Sequence, residues 1–227
     1  AVGQSSLLTA TTAIENTAIG NQAMQDVTTG SQNVGVGHAS LYELTTGSHN
    51  TAVGTNALQN VTSSDNTAVG SLALTANTSG TLNTAVGKQA LSANTTSSNN
   101  TAIGYRALRV STGASNTAVG TGALESNTSA SNNTAVGVSA LTANTTGANH
   151  VAIGIQALDA NTTGDQNVGI GLNAGGAITT GSANVVVGGS SGRSMTTSNF
   201  NTIVGYQSYD DGTGSGNTVM GYQSAFN

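Results

Sequence analysis

The sequence contains no cysteine and no proline, and charged and aromatic residues make up only 6% and 3% of its 227 positions. Because cysteine is absent, disulfides neither reveal the redox compartment nor contribute to the fold. Because proline is absent, no backbone N–H of a β-ladder is lost. So few large side chains give a single narrow chain little surface to bury. We therefore expect a homo-oligomer, most simply a homotrimer of three chains side by side.

Positive charge is scarce as well. Lys88, Arg106, Arg109 and Arg193 are the only strong cations, their spacing forms no cluster, and the net charge is −5. Nucleic-acid binding needs a basic surface, so we expect no nucleic-acid partner. The sequence also has no long apolar run and no signal-peptide pattern, so we expect no membrane insertion.

What the sequence does contain is a short repeat built around Asn-Thr-Ala-Val-Gly. Fourteen copies follow one another at spacings of 17 residues, shortened to 16 at three places. The closing glycines are Gly3, Gly20, Gly37, Gly54, Gly70, Gly87, Gly104, Gly120, Gly137, Gly154, Gly171, Gly188, Gly205 and Gly221. A unit this short buries its apolar face only by stacking on its neighbours. The pattern predicts an all-β chain, a β-solenoid or parallel β-roll of about fourteen 16–17-residue coils, each with two short strands and two turns.

The apolar positions are numbered here from the closing glycine, which is position 0. Position −1 is Val, Ile or Met in all fourteen copies, and position −2 is Ala or Gly in eleven. Adjacent strand residues face opposite sides, so one face is branched and the other small; the sequence leaves open which of them is the core and which is a tight contact between chains. Position +4, usually Leu, is predicted to point inward from the second strand. The invariant glycine predicts a positive φ or a close backbone approach.

Two polar columns complete the repeat. Position −4 is Asn in twelve of thirteen copies, with His150 the exception, and position +8 is Thr in all thirteen. Stacked at about 4.8 Å, such columns are expected to form hydrogen-bonded ladders. With the glycines, they give the predicted structural set Asn50, Asn66, Asn83, Asn100, Asn116, Asn133, Gly54, Gly70, Gly87, Gly104, Gly120, Gly137, Thr112, Thr128 and Thr145. The shortened copies lose one residue between this Thr and the next Asn, which indicates a surface turn.

The repeats predict a single array over residues 1–227. Because the sequence begins in mid-repeat at Ala1, we expect it to be a segment of a longer fibre. Coils are regular over residues 1–163 and diverge over 164–227, where Gly175 and Gly192 take the Leu position. Five of the seven aromatic residues lie in the last 28 positions, which predicts a cap, a contact surface or, as the favoured interpretation, a transition to another module: Phe200, Tyr206, Tyr209, Tyr222 and Phe226.

No grouping of residues indicates catalysis. His38, His49 and His150 occupy different repeat positions, and the acidic residues are sparse. The stretch 210–214, Asp-Asp-Gly-Thr-Gly, is rich in oxygen ligands but lacks the spacing of a calcium motif, and a turn is the favoured interpretation. The N-glycosylation pattern at Asn77, Asn94, Asn127, Asn144 and Asn161 is a by-product of the repeat. We expect no catalytic residues, no metal and no cofactor.

The pattern Asn-Thr-Ala-Val-Gly-x-x-Ala-Leu-x-x-Asn-Thr-Thr-Gly, as at Asn133 to Gly147, resembles repeats of long phage and bacterial tail-fibre-like proteins. The Ala-Val-Gly and Ala-Ile-Gly core is also similar to the head repeat of YadA-like trimeric autotransporter adhesins, although the coils here are longer. The resemblance covers essentially the whole chain. It implies a fibrous homotrimer on a virion tail or outside a cell.

Three functions stay open, none of them enzymatic. The first is a structural segment of a phage tail fibre or tail-fibre-like protein, which spaces or presents a receptor-binding tip. Its host partner, a cell-surface glycan or protein, would lie at an end outside this segment. The second is a cell-surface trimeric adhesin or extracellular filament. The third is an ice-binding solenoid, in which Thr112, Thr128, Thr145 and Thr162 would form an ordered column, whereas a sugar-cleaving enzyme would need clustered carboxylates.

Overall fold

A computed structural model describes residues 1–225, and over this range it is built from thirteen three-residue strands in parallel β-sheet, with no helix. The expected all-β solenoid is confirmed. The chain forms two compact units, Ala1–Ala114 and Ser115–Asn227. The first unit holds β1 (Thr17–Ile19), β2 (Val34–Val36), β3 (Thr51–Val53), β4 (Thr67–Val69), β5 (Thr84–Val86) and β6 (Thr101–Ile103). The second holds β7 (Thr117–Val119), β8 (Thr134–Val136), β9 (Val151–Ile153), β10 (Val168–Ile170), β11 (Val185–Val187), β12 (Thr202–Val204) and β13 (Thr218–Met220).

Within each unit, every strand pairs with the next strand along the chain, and equivalent repeat positions lie opposite each other. Ala52 is the partner of Ala68 in the first unit, and Ala118 is the partner of Ala135 in the second. Before β1, Val2 adds an isolated parallel bridge to Ile19. The register therefore stacks identical positions into columns, which is what a strict sequence period requires.

The small residues of the strands line the core, and the branched residues face outward. Ala52 and Ala118 are fully buried, whereas Val53 is 37% exposed and Ile103 is 41% exposed. This result settles the question that the sequence left open. The alanine column is packed inside the chain, and the contact surface that the sequence predicts between chains would have to be the branched column.

The leucine column lies opposite the strands, and the expectation of a second strand there is wrong. Leu58 and Leu91 are fully buried, as predicted, but their φ angles are +48° and +50°. The residue at position +2 is also left-handed, as in Asn56 (φ +56°). As a result, successive backbone N–H groups point in different directions. Leu58 N–H donates to the Ala73 carbonyl of the next coil, whereas Ala57 N–H donates to the Gly54 carbonyl of its own coil. The leucine side is therefore a tight turn, although its side chains alternate inward and outward as in a strand.

The glycine column needs glycine for two reasons. Gly70 has φ +131°, a region that residues with a side chain rarely adopt. A β-carbon there would also lie 2.7 Å from both the carbonyl carbon and the oxygen of Gly87 in the next coil. Both alternatives in the sequence-based prediction, positive φ and close approach, therefore hold together.

In the divergent coils, an apolar side chain at another repeat position fills the core where the usual Leu is missing. Gly175 and Gly192 lack the usual Leu side chain, and the buried Ile178 and Met195 at position +7 fill the space instead. In the next coil Tyr209 takes the Leu position, and its hydroxyl accepts hydrogen bonds from Gly214 N–H (3.1 Å) and Asn217 Nδ2 (2.8 Å). The Tyr206 and Tyr222 rings stack with centroids 5.9 Å apart. Phe226 lies outside the described residues, and the predicted cap or transition stays a prediction.

Candidate functional site

The asparagines at position −4 form a buried ladder in the first unit. Asn50 donates its backbone N–H to Asn33 Oδ1 (2.9 Å), and its Nδ2 donates to Asn33 Oδ1 (3.2 Å) and to the Ser63 carbonyl (2.8 Å). Asn66, Asn83 and Asn100 continue the column with the same backbone-to-Oδ1 bond. Each amide thus joins one coil to the next and also holds the turn before the following strand. Removing one amide would leave buried polar groups unpaired, which is costly.

The second unit repeats this arrangement. Asn133 donates its backbone N–H to Asn116 Oδ1 (3.0 Å), and its Nδ2 donates to the Gly147 carbonyl (3.1 Å). Asn184 and Asn201 continue the column beyond Asn167. The asparagines are fully or almost fully buried, so their role in the described structure is to bond the coils together.

The threonines at position +8 also bond from coil to coil, through side chain to backbone. Thr78 Oγ1 donates to the Thr95 carbonyl (3.0 Å), and Thr128 Oγ1 donates to the Thr145 carbonyl (2.9 Å). The Thr112 carbonyl accepts a hydrogen bond from the Ser97 hydroxyl. A hydroxyl that donates its proton to a carbonyl of the next coil is a weaker donor to ordered water.

A second asparagine ladder at position +7 was missed in the sequence. Asn94 Nδ2 donates to Asn77 Oδ1 (2.9 Å), and Asn144 Nδ2 donates to Asn127 Oδ1 (3.0 Å) and to the Gly147 carbonyl (2.8 Å). The signal was present, since these are the residues that match the N-glycosylation pattern, together with Asn161. All five are fully buried. Asn77, Asn94, Asn127 and Asn144 bond from coil to coil, whereas the Asn161 side chain packs without a hydrogen bond within the described residues.

His150 replaces asparagine in the first ladder and takes over its acceptor role. Its backbone N–H donates to Asn133 Oδ1 (2.9 Å), and its Nδ1 accepts from Asn167 N–H (3.0 Å). With Nδ1 as acceptor, the neutral ring carries its proton on Nε2. Nε2 makes no hydrogen bond within the described residues, and neither do Asn144 Oδ1 or the two amide atoms of Asn161. Polar pairing is therefore incomplete around His150.

Burial lowers the pKa of His150, against smaller opposing effects from the backbone of Gly164 and Asn167 and from the carboxylate of Asp165. The folded-state pKa lies below the unfolded value near 6.5. The unfolded chain therefore binds the proton more readily, and the free energy of unfolding should fall as the pH drops through 6.5. Each unit of pKa depression corresponds to about 1.4 kcal/mol.

We expect His150→Asn to restore the ladder and to flatten this pH dependence. The measurement is the free energy of unfolding from denaturant titrations between pH 8 and pH 5. Asp159, whose pKa is raised by burial, is common to both proteins, so the difference between them reports His150. His49→Asn is the control, because His49 is exposed beside Asp65. A wild-type slope that survives in His150→Asn would contradict the assignment.

Other ionisable residues make contacts at the surface. His49 Nδ1 lies 3.8 Å from Asp65 Oδ1 at the surface, and the Arg106 guanidinium lies over the Tyr105 ring at 5.0 Å. Within residues 1–225, no three His, Cys, Asp or Glu side chains lie close enough to hold a metal ion. The same part of the chain has no helix of the length and apolarity needed to cross a bilayer.

The fold and its columns together define a β-solenoid in which the same hydrogen bonds between coils recur along the chain. No family model, curated protein or solved structure matches the chain.

Proposed function

We propose that the chain is a structural segment of a trimeric fibre, of the kind found in phage tail fibres and tail-fibre-like proteins, located on a virion or outside a cell. In this function the segment spaces or presents a receptor-binding tip for host attachment. The observation that carries the proposal is the outer face of the strands, which is branched, uncharged and uncovered in the single chain. An adhesin or extracellular filament would use the same assembly.

The outer face is defined here by the first and third residues of each strand. In the first unit its third residues include Val53, Val69 and Ile103, which are 36–41% exposed, and in the second unit Val136, Ile153 and Ile170 are 37–40% exposed. None of the thirteen described strands contains a charged residue. Parallel sheets are normally covered on both faces, so this face needs a partner.

A second copy of the same chain is the partner that fits best. Each coil places one Val, Ile or Met in the same register, and only another solenoid with the same rise can match that spacing along its length. Charged residues such as Lys88 and Asp165 lie outside the strands, so parallel copies bring no like charges together across this face. Closed threefold symmetry would cover the outer face of all three chains at once.

Because the natural chain lacks cysteine, a single introduced thiol reports the contact without background. We expect Val136→Cys on the outer face to form a disulfide between copies at low protein concentration under mild oxidation. In a parallel, in-register assembly this residue meets its own equivalent in the next chain. The measurement is the covalent dimer fraction on a non-reducing gel.

Ser129→Cys is the matched control, because Ser129 is exposed on the turn after the threonine column. Its thiol should crosslink only slowly and in proportion to concentration. Equal, concentration-dependent crosslinking of both variants would contradict the proposed interface.

A further inference from the structure

A recess interrupts the surface of the second unit. It has a volume of about 320 Å³ and is lined by Gln156, Asp159, Asn173, Gly176, Ala177 and Arg193. These residues come from three successive coils and belong to the turn on the leucine side. The recess is therefore separate from both the ladders and the outer face.

The recess exists because Gly176 has no side chain at position +5. Other coils of this unit carry Glu125, Thr142, Asp159 and Arg193 at that position. A β-carbon on Gly176 would lie 3.0 Å from Asp159 Oδ1 and would overlap Asn173 Oδ1. The Asn173 amide takes up part of the space that a side chain would fill, and the recess lies between an acid on one side and a base on the other.

The acid and the base stand in different surroundings. Asp159 is partly buried, and burial raises the pKa of its carboxyl group, against opposing effects from its own backbone and that of Ala160. The Arg193 side chain is about half exposed and forms an ion pair with the next coil, with Nε 3.5 Å from Asp210 Oδ1. Because this contact involves Nε, the guanidinium keeps further N–H donors for the recess.

We infer that this recess binds a neutral saccharide unit. The lining offers a carboxylate acceptor, a guanidinium donor and two amides, from Gln156 and Asn173, that both donate and accept. A sugar ring carries neighbouring hydroxyls that each donate and accept, so it can pair with all four groups. The volume lies at the small end of ligand sites, which suits one monosaccharide residue.

The charges of the lining decide against ionic ligands. A phosphate or sulfate would meet the Asp159 carboxylate, and a simple cation would meet Arg193. The recess is open and has few apolar atoms, so we expect weak binding, with a Kd on the order of 1 mM for a single sugar. The inference does not depend on the oligomeric state, because all lining residues belong to one chain.

The test is a titration of the ¹⁵N-labelled chain followed by NMR, with glucose, galactose and N-acetylglucosamine as separate probes. We expect at least one sugar to shift the side-chain signals of Gln156, Asn173 and Arg193 with saturation in the millimolar range. Gly176→Thr places at position +5 the residue that Thr142 supplies in another coil. The φ angle of Gly176 lies outside the left-handed region, so the backbone accepts a residue with a side chain. This variant should remain folded, because only the Asn173 side chain has to move away from the new β-carbon, and it should bind at least tenfold more weakly.

Thr142→Ser is the control in the same column, and it should bind as the natural chain does. Arg193→Gln should weaken binding while leaving the recess open. The inference is overturned if none of the sugars shifts these signals, or if Gly176→Thr binds equally well. Saturable shifts with free glycine but with no sugar would assign the recess to a zwitterion and would likewise overturn it.

Discussion

Replacing Gly70 by alanine is expected to lower the free energy of unfolding by about 3–5 kcal/mol. Two costs add together. The residue must hold φ +131°, and its new β-carbon would lie 2.7 Å from the backbone of Gly87, which no side-chain rotation relieves. The coil that contains Gly70 and the coil that contains Gly87 would have to move apart. The measurement is a denaturant titration of the variant beside the natural chain.

Gly122→Ala is the control for this substitution. Gly122 is also left-handed, with φ +66°, but it occupies position +2, where Gln89 and Ser139 adopt similar angles. A β-carbon there would approach nothing closer than 3.5 Å. We expect a change within about 1 kcal/mol. Similar losses at Gly70 and Gly122 would mean that backbone angle alone, and not the approach of the next coil, explains the glycine column.

Replacing Ala118 by leucine is the second large expected effect. Ala118 is fully buried in β7 opposite Ala135, so three additional carbons have no space in the core. We expect a loss of about 1–3 kcal/mol or more, with a lower melting temperature. The adjacent Val119→Leu changes the outward-facing residue of the same strand and should leave the stability of the single chain nearly unchanged.

The outcome of this pair also separates the two faces of the strand. If Ala118→Leu melted like the natural chain but altered the assembly, the small column would have to lie between chains. If Val119→Leu were the more destabilising variant under conditions where the chain is monomeric, the inward and outward assignments would be reversed.

Much of the fold follows from the sequence because the repeat period fixes which residues share a column. Alternation in the strand, inward leucines and the need for glycine are all local consequences of that period. The second strand was predicted wrongly because alternating left- and right-handed residues also alternate side-chain direction. Burial pattern alone cannot distinguish Leu58 in a turn from Leu58 in a strand.

The asparagine columns also differ in how far the sequence predicts them. The Asn50 and Asn133 columns were predictable as ladders because they repeat in almost every coil. The Asn77 column was not predictable as a ladder, because position +7 holds apolar residues such as Val27 and Ile178 in other coils. Its Asn-Thr-Ser or Asn-Thr-Thr motif also matches the N-glycosylation pattern, which offers a different interpretation of the same residues. The recess around Gly176 depends on one absent side chain between two charged neighbours, which only the stacking order brings together.

The most direct test of the fibre account is the mass of the chain in solution, measured by light scattering. The proposed bundle requires three times the chain mass of 22.1 kDa, stable on dilution, because the outer face of every strand is then covered. A stable monomer at the same concentrations would contradict it. In that case the branched outer face would stand uncovered in water, and the chain would be a single solenoid rather than part of a trimeric fibre.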